Sequence, residues 1–448
     1  MTNKRAGFAT RMGAIAASVG SAVGLGNIWR FPYEAGQNGG GAFILVYILC
    51  VLAMGIPVML SEFVIGRSTH KSMKGALREL SPGGKAHWFT AVCITGSAVT
   101  LSFYSVVCGW VCEYLYLSLT GALSGHTSQE FSEIFGSFVG SPWRCVGWTL
   151  LFLLLNYAVM MRGVEKGIER ISRVLMPLLF LLLVVFCVNS LTMPKCREGL
   201  SFMFSIDFSQ FTFRGAVDAL GQAFMSLSLG IACLITYSSY FDDKTSLTRD
   251  AGIIALLDTL VALLAGIMIF PAVFSYGFQP EAGPKLVFEV LPAIFQQMIG
   301  GQVWCILFFV LLLFASLTST ISLSEISISY LIEEHGQSRG RATLWSSIVV
   351  VVVAVVCALS FNVLDDIKAF GMNIFDLLNY ASSNFFMLLG GMFTAVFVGW
   401  IVDRKIVRAQ LNDGSRLARI VVPCMVFCMR FVAPVAILLI FLYYVGIF

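Results

Sequence analysis

Apolar runs long enough to cross a bilayer recur along the whole chain, separated by short stretches of charged, polar, glycine and proline residues. They predict eleven membrane-spanning helices, near 12–34, 42–66, 88–119, 143–161, 168–191, 214–240, 250–277, 302–332, 342–361, 371–401 and 419–447. The expected fold is an all-α polytopic membrane protein, residues 1–448 forming a single domain. Around 280–300 the sequence QPEAGPKLVFEVLPAIFQQM is amphipathic and interrupted by prolines, which predicts a re-entrant or capping loop. Two runs carry flaws. In the first, ASVGSAVGLGNIWRFPYE crowds Gly20, Gly24 and Gly26 ahead of Asn27 and Arg30. In the sixth, GQAFMSLSLGIACLITYSSYFDD, Gln222, Ser226, Ser228 and Gly230 interrupt apolar sequence. Irregular main chain at membrane depth is tolerated only where it is buried in protein or lines a cavity, so both flaws predict broken helices beside a binding site. The breaks fall five spans apart, as two inverted five-helix repeats with one broken helix each would place them. The repeats would cover 12–191 and 214–401, with 419–447 as an additional eleventh helix; no letter-by-letter repeat joins the halves.

Composition agrees: 58% hydrophobic, 12% charged and a mean hydropathy of +0.86 exclude an ordinary soluble globule. The formal charge of +4 is no nucleic-acid signal; its distribution matters more. With the N-terminus inside, Lys4/Arg5/Arg11, Arg67/Lys71/Lys74/Arg78/Lys85, Arg162/Lys166/Arg170/Arg173 and Arg404/Lys405/Arg408/Arg416/Arg419 all fall on the cytoplasmic side. The alternate loops hold only scattered basic residues such as Lys195, Arg197, Lys285 and Lys368, so the positive-inside rule sets the orientation. An odd number of spans leaves Phe448 outside. The basic start MTNKRAGFATR leads directly into a full span, unlike a cleavable signal peptide. Twelve cysteines sit almost entirely in apolar runs, and Cys108/Cys112 and Cys424/Cys428 have plain helical spacing, so they read as small buried hydrophobes. The chain has no Asn-x-Ser/Thr acceptor and no cysteine in the polar stretch around 121–142, which favours a bacterial inner membrane over an animal cell surface.

Four features carry candidate chemistry. Gly20 and Gly24 alone would read as helix packing, but packing does not explain an amide and a guanidinium one turn farther on. In the eighth span, ASLTSTISL offers Ala315, Thr318, Ser319 and Thr320 on a tight arc. Such hydroxyls can bond back to their own helix, yet with carbonyls from an unwound neighbour they also make the oxygen set a sodium ion takes. Asp258 lies amid apolar residues of the seventh span, and an intramembrane acid is a functional candidate by default, with a structural hydrogen bond as the alternative. Tyr104, in LSFYSVVCGW, gains a role only from context. Enzyme chemistry finds little support: all four histidines fall in loops, and no phosphate-cradling loop ends in Lys-Ser/Thr.

The segments ATRMGAIAASVGSAVGLGNIWRFPYEAGQNGGGAF, GIPVMLSEFVIGR, GQAFMSLSLG, ITYSSY and ASLTSTISL together resemble the neurotransmitter:sodium symporter family, and within it the bacterial amino-acid transporters. Gly167 and Pro177, ten apart, resemble that family's fifth-helix unwinding motif. The resemblance implies sodium-driven symport of an amino acid, with two sodium ions and no organic cofactor. One sodium site would use Gly20, Val23 and Ala315 carbonyls with the Thr318 and Ser319 hydroxyls. The other would use the Ala22 carbonyl, the Asn27 amide, Ser226, Asp258 and the carboxylate of the substrate. Leu25 and Gly26 amides and the Tyr104 hydroxyl would hold that carboxylate, and carbonyls around Phe224 to Ser226 with Ser319 would meet the ammonium. Thr100, Phe224, Met225, Ser228, Ile231, Ser319 and Leu323 would line the side-chain pocket.

Substrate class follows from the same resemblance. Monoamine carriers of the family have an aspartate where this chain has Gly24, so glycine implies amino acids, and Met225 and Ile231 imply an apolar or aromatic one. Asp258 stands where the family's leucine transporter has an asparagine, and a fixed carboxylate implies chloride-independent transport. The outer gate would pair Arg30 with the tenth span, where the expected aspartate reads Asn379; Asp376 one turn away, or Trp29 with Phe224, would serve instead. The inner gate would pair Arg5 with Glu333. A membrane sensor that binds sodium and amino acid without transport is the reading from another class.

Overall fold

The computed structural model describes residues 7–209, 211–278, 286–412, 414 and 416–444. Arg5, Phe448 and the start of the 280–300 loop lie outside them. The described chain is helical, with one isolated bridge between Ala369 and Met372. In order the helices are α1 (Arg11–Ala22), α2 (Gly26–Gln37), α3 (Gly41–Thr69), α4 (Met73–Leu80), α5 (Ala86–Leu119) and α6 (Ser128–Val139). There follow α7 (Pro142–Met160), α8 (Val164–Leu191), α9 (Cys196–Phe204), α10 (Phe213–Ser226), α11 (Cys233–Ser238) and α12 (Leu247–Ser275). The rest are α13 (Leu286–Gln296), α14 (Gly301–His335), α15 (Arg339–Leu359), α16 (Ile374–Ile401), α17 (Arg404–Leu411) and α18 (Val421–Tyr443).

Among the described residues nine of these are long and apolar enough to cross a membrane, and α1 with α2, bent by 51°, makes a tenth span. The sixth predicted span is two pieces, α10 and α11, too short individually to count. Within the proline-interrupted loop α13 is a buried helix, packed on α6 and α14.

Helix starts follow local chemistry. Thr10, Thr212 and Ser246 cap α1, α10 and α12 by accepting from Gly13, Gly215 and Arg249 amides, and Pro142 opens α7 where its missing N–H is harmless. Lipid offers little hydrophobic drive between helices, so close packing must hold the bundle. The flawed helices are therefore central: α1 is packed by α8, α12 and α14, and α10 and α11 by α3. The outer faces of α7, α8, α15 and α18 expose Leu154, Leu181, Val352 and Leu438, as a lipid-facing surface does. Nine of the twelve cysteines are buried, and all are free thiols.

Candidate functional site

The two breaks face each other across the core. Val23 and Gly24 leave the helix between α1 and α2: the Gly24 amide donates to Asn27 Oδ1 at 3.1 Å, and the Leu25 amide donates to the Tyr104 hydroxyl at 2.9 Å. Between α10 and α11, Ser228, Gly230 and Ala232 take positive φ of 53°, 84° and 66°. The Gly230 amide donates to Glu62 Oε1 at 2.7 Å, and the Ser228 hydroxyl donates to the Ser21 carbonyl at 2.8 Å. Gly230 rests so closely on α16 that a Cβ would lie 1.9 Å from the Met387 carbonyl. Each main-chain group left unpaired here would cost several kcal/mol, so Tyr104, Asn27 and Glu62 are what make the breaks tolerable.

Carbonyl and hydroxyl oxygens converge beside the first break. Ser319 Oγ lies 3.3 Å from the Val23 carbonyl and 3.5 Å from that of Gly20, while Thr318 Oγ1 bonds back to Phe314 and Ala315 of its own helix at 3.0 and 3.1 Å. Gly20 is what lets α1 approach: a Cβ would lie 3.1 Å from Thr318 Cβ. Ser319 Oγ thus meets the Gly20 and Val23 carbonyls, and the Thr318 hydroxyl with the Ala315 carbonyl lies on the same stretch of α14; neutral oxygens of this kind suit a small hard cation.

A second set surrounds Asp258, which is fully buried. Its carboxylate accepts from Asn27 Nδ2 at 2.7 Å, Ser226 Oγ at 2.5 Å and the Tyr47 hydroxyl at 3.4 Å. Asn27 Nδ2 also reaches Ser226 Oγ at 2.8 Å, and Gln222 Nε2 donates to the Gly26 carbonyl at 2.9 Å. Asn27 turns its oxygen toward Gly24 and its nitrogen toward Asp258, so a cation held by this set needs the amide in the opposite sense.

Two cavities meet above these oxygens. The inner one, about 40 Å³, is lined by Ala22, Gly24, Gly26, Thr100, Tyr104, Met225, Ser228, Ile231, Ser319 and Leu323, with Ser382 and Met387 of α16. That is room for only a few waters, so an amino acid there needs side chains to yield, and methionines are the pliable ones. The outer cavity, about 330 Å³, includes Trp29, Arg30, Glu34, Phe103, Phe375 and Asp376 in its lining, and shares Gly26, Tyr104 and Met225 with the inner one.

Phe224 departs from expectation. It lines neither cavity; its ring packs where a Cβ on Gly391 would fall. Its carbonyl accepts from the Leu229 amide at 3.0 Å, and that of Met225 from the Ser228 amide at 3.2 Å, so these two oxygens serve the break itself. The outer gate also differs. Arg30 pairs with Glu34 on its own helix at 3.3 Å and touches the Met225 sulfur, while Asp376 and Asn379 stand across the outer cavity from it.

Ser382, Met387 and Glu62 escaped the sequence reading. An acid inside an apolar run, which singled out Asp258, would have singled out Glu62 as well. The end of the bundle bearing the start of α1 is closed by buried acids: Asp250 pairs with Arg11 at 2.5 Å and Glu325 with Arg339 at 2.7 Å. Glu169 takes the Ala9 amide, the Thr10 hydroxyl and Arg173. Glu333 accepts from the Ser72 amide at 2.5 Å; its expected partner Arg5 lies outside the described residues.

With this geometry in hand, the model of the sodium:neurotransmitter symporter family matches residues 5–133 and 142–448. The chain belongs to that family. The chain is 37% identical to an uncharacterized sodium-dependent transporter of Bacillus subtilis, YhdH, over 98% of both chains. It is 26% identical to the sodium-dependent serotonin transporter of Drosophila melanogaster, over 95% of this chain and 74% of that one. Among solved structures it resembles MhsT in complex with L-phenylalanine, with 39% identity and a TM-score of 0.91 over 98% of this chain and 99% of the other.

Proposed function

We propose that this symporter imports an apolar or aromatic amino acid, driven by sodium and independent of chloride. The observation that carries the reading is the inner cavity: its floor is the broken main chain at Gly24 to Gly26, with the Tyr104 hydroxyl 2.9 Å from the Leu25 amide and Ser319 beside Val23. Amides at the start of α2 and the Tyr104 hydroxyl suit a carboxylate. Thr100, Met225, Ile231, Leu323 and Met387 give the side-chain end an apolar wall, and the solved relative holding phenylalanine supports that class. Gly24 leaves no acid for a bare amine.

Two sodium ions would be cargo, one at Gly20, Val23, Ala315, Thr318 and Ser319, the other at Ala22, Asn27, Ser226 and Asp258. In the second set the substrate carboxylate completes the shell, so substrate and ion raise each other's affinity. The fixed charge of Asp258 stands in for an anion. Eleven spans in two inverted repeats, the N-terminus inside a bacterial inner membrane and the C-terminus outside complete the reading. At about 100 mV two sodium ions supply roughly 4.6 kcal/mol. A hundredfold amino-acid gradient costs about 2.7 kcal/mol.

The test is uptake of each of the twenty amino acids into proteoliposomes, with and without an inward sodium gradient. Accumulation of leucine-like or aromatic amino acids only with the gradient is expected. Binding without accumulation would instead mean a sensor.

A further inference from the structure

Lys166 and Arg170 lie four apart in a column at the start of α8, and Arg162 lies in the turn just before it, on the far side of Gly163. Their side chains and those of Ile171, Val174 and Leu175 line one groove, with three cations at one end and three aliphatic side chains at the other. No acidic side chain lines it. Among the described residues none of the three cations has an ion-pair or side-chain hydrogen-bond partner, whereas their neighbour Arg173 is tied to Glu169. Glu169 is turned inward against Ala9 and Thr10; Glu165 is exposed on the same turn but does not line the groove.

The aliphatic end continues down α8 through the exposed side chains of Val174, Leu178, Leu181 and Val185, in the same column and one position beside it. A ligand matching this surface is anionic at one end, carries long apolar chains at the other and lies along the outside of a membrane helix. We propose that the groove is a binding site for an anionic glycerophospholipid. Its headgroup phosphate is held by Arg162, Lys166 and Arg170, and its acyl chains run over Ile171, Val174 and Leu175. Arginine forks and a lysine ammonium are the groups that bind phosphate oxygens, and a basic pocket at a helix end meets headgroups at their own depth. The same turn holds Glu169, which clasps the start of α1, so an occupied groove braces that clasp from its outer side.

The experiment is native mass spectrometry of the full chain released from nanodiscs of phosphatidylglycerol and phosphatidylcholine mixed one to four. Retention of phosphatidylglycerol over phosphatidylcholine is expected. It should weaken about a hundredfold in the triple variant Arg162→Gln/Lys166→Gln/Arg170→Gln, and about fivefold in each single variant. The sodium-induced thermal shift should persist in all of them, since none of these residues touches the inner cavity. Val174→Ser/Leu175→Ser should weaken retention of long-chain lipid while leaving the short-chain dihexanoyl form unaffected. Equal retention of the two lipids, or of phosphatidylglycerol by the wild-type chain and the triple variant, would overturn the proposal. So would displacement of the lipid by millimolar inorganic phosphate, which would make the groove a site for a free anion.

Discussion

At Gly24 the wall of the inner cavity is made by a missing side chain. A Cβ there would lie 2.7 Å from Ser319 Oγ, which can rotate away, and 2.9 Å from the Tyr104 hydroxyl, which must give by a few tenths of an ångström, so Gly24→Ala should fold. It should nonetheless lower sodium-driven uptake at least about tenfold, because one lost charge-assisted contact is worth about 1.5 kcal/mol or more. Asn27→Ala removes the amide joining Gly24, Ser226 and Asp258, and should shrink the rise in unfolding temperature expected from sodium without abolishing it, because the set at Gly20, Val23 and Ser319 stays intact. Replacing external chloride by gluconate should leave initial uptake unchanged, and a collapse would remove Asp258 from the role of resident anion. Asn27, Ser226 and Asp258 were legible in the sequence because a polar atom in an apolar run needs a reason. Phe224 was not: position along a helix does not fix rotation about its axis, and the ring turned to the gap at Gly391. Arg30 and Glu34 have the four-residue spacing of a helical pair, a local partner that the family's cross-span gate obscured.

Scaled up to elements, the breaks depend on partners from other helices. Gly230 combines a φ of 84° with a backbone oxygen 1.9 Å from where a Cβ would sit. Gly230→Ala should therefore destabilise by about 2–3 kcal/mol, seen as a lower unfolding temperature in detergent. Outside the membrane, α6 begins with Thr127 and Glu130 in a reciprocal cap, and the amide and hydroxyl of Thr127 hold the Glu130 carboxyl below its ordinary value. A depressed folded value means the cap contributes fully above the unfolded pKa and is lost as pH falls through the folded one. Protection of the α6 amides, taken relative to their intrinsic exchange rates, should accordingly fall on acidification below about pH 4, and Glu130→Gln should remove that dependence. The breaks were readable from glycine and serine crowding, whereas Glu62 as partner to Gly230 is a contact 168 positions distant that no local pattern encodes.

For the molecule as a whole, one end is a cavity of about 330 Å³ and the other is bound shut by buried acids. Glu325→Gln leaves Arg339 with a neutral partner and should cost about 3 kcal/mol, a loss that calorimetry of the purified protein measures directly. The two chambers share Gly26, Tyr104 and the thioether of Met225 as a common wall. A partition of that kind turns at the pace of a rotamer, whereas unlocking the far end requires whole helices to shift, a thousandfold slower or more. In the import proposed above, such a protein is a quick taster and a slow swallower: candidates would be sampled and rejected many times for each one carried through.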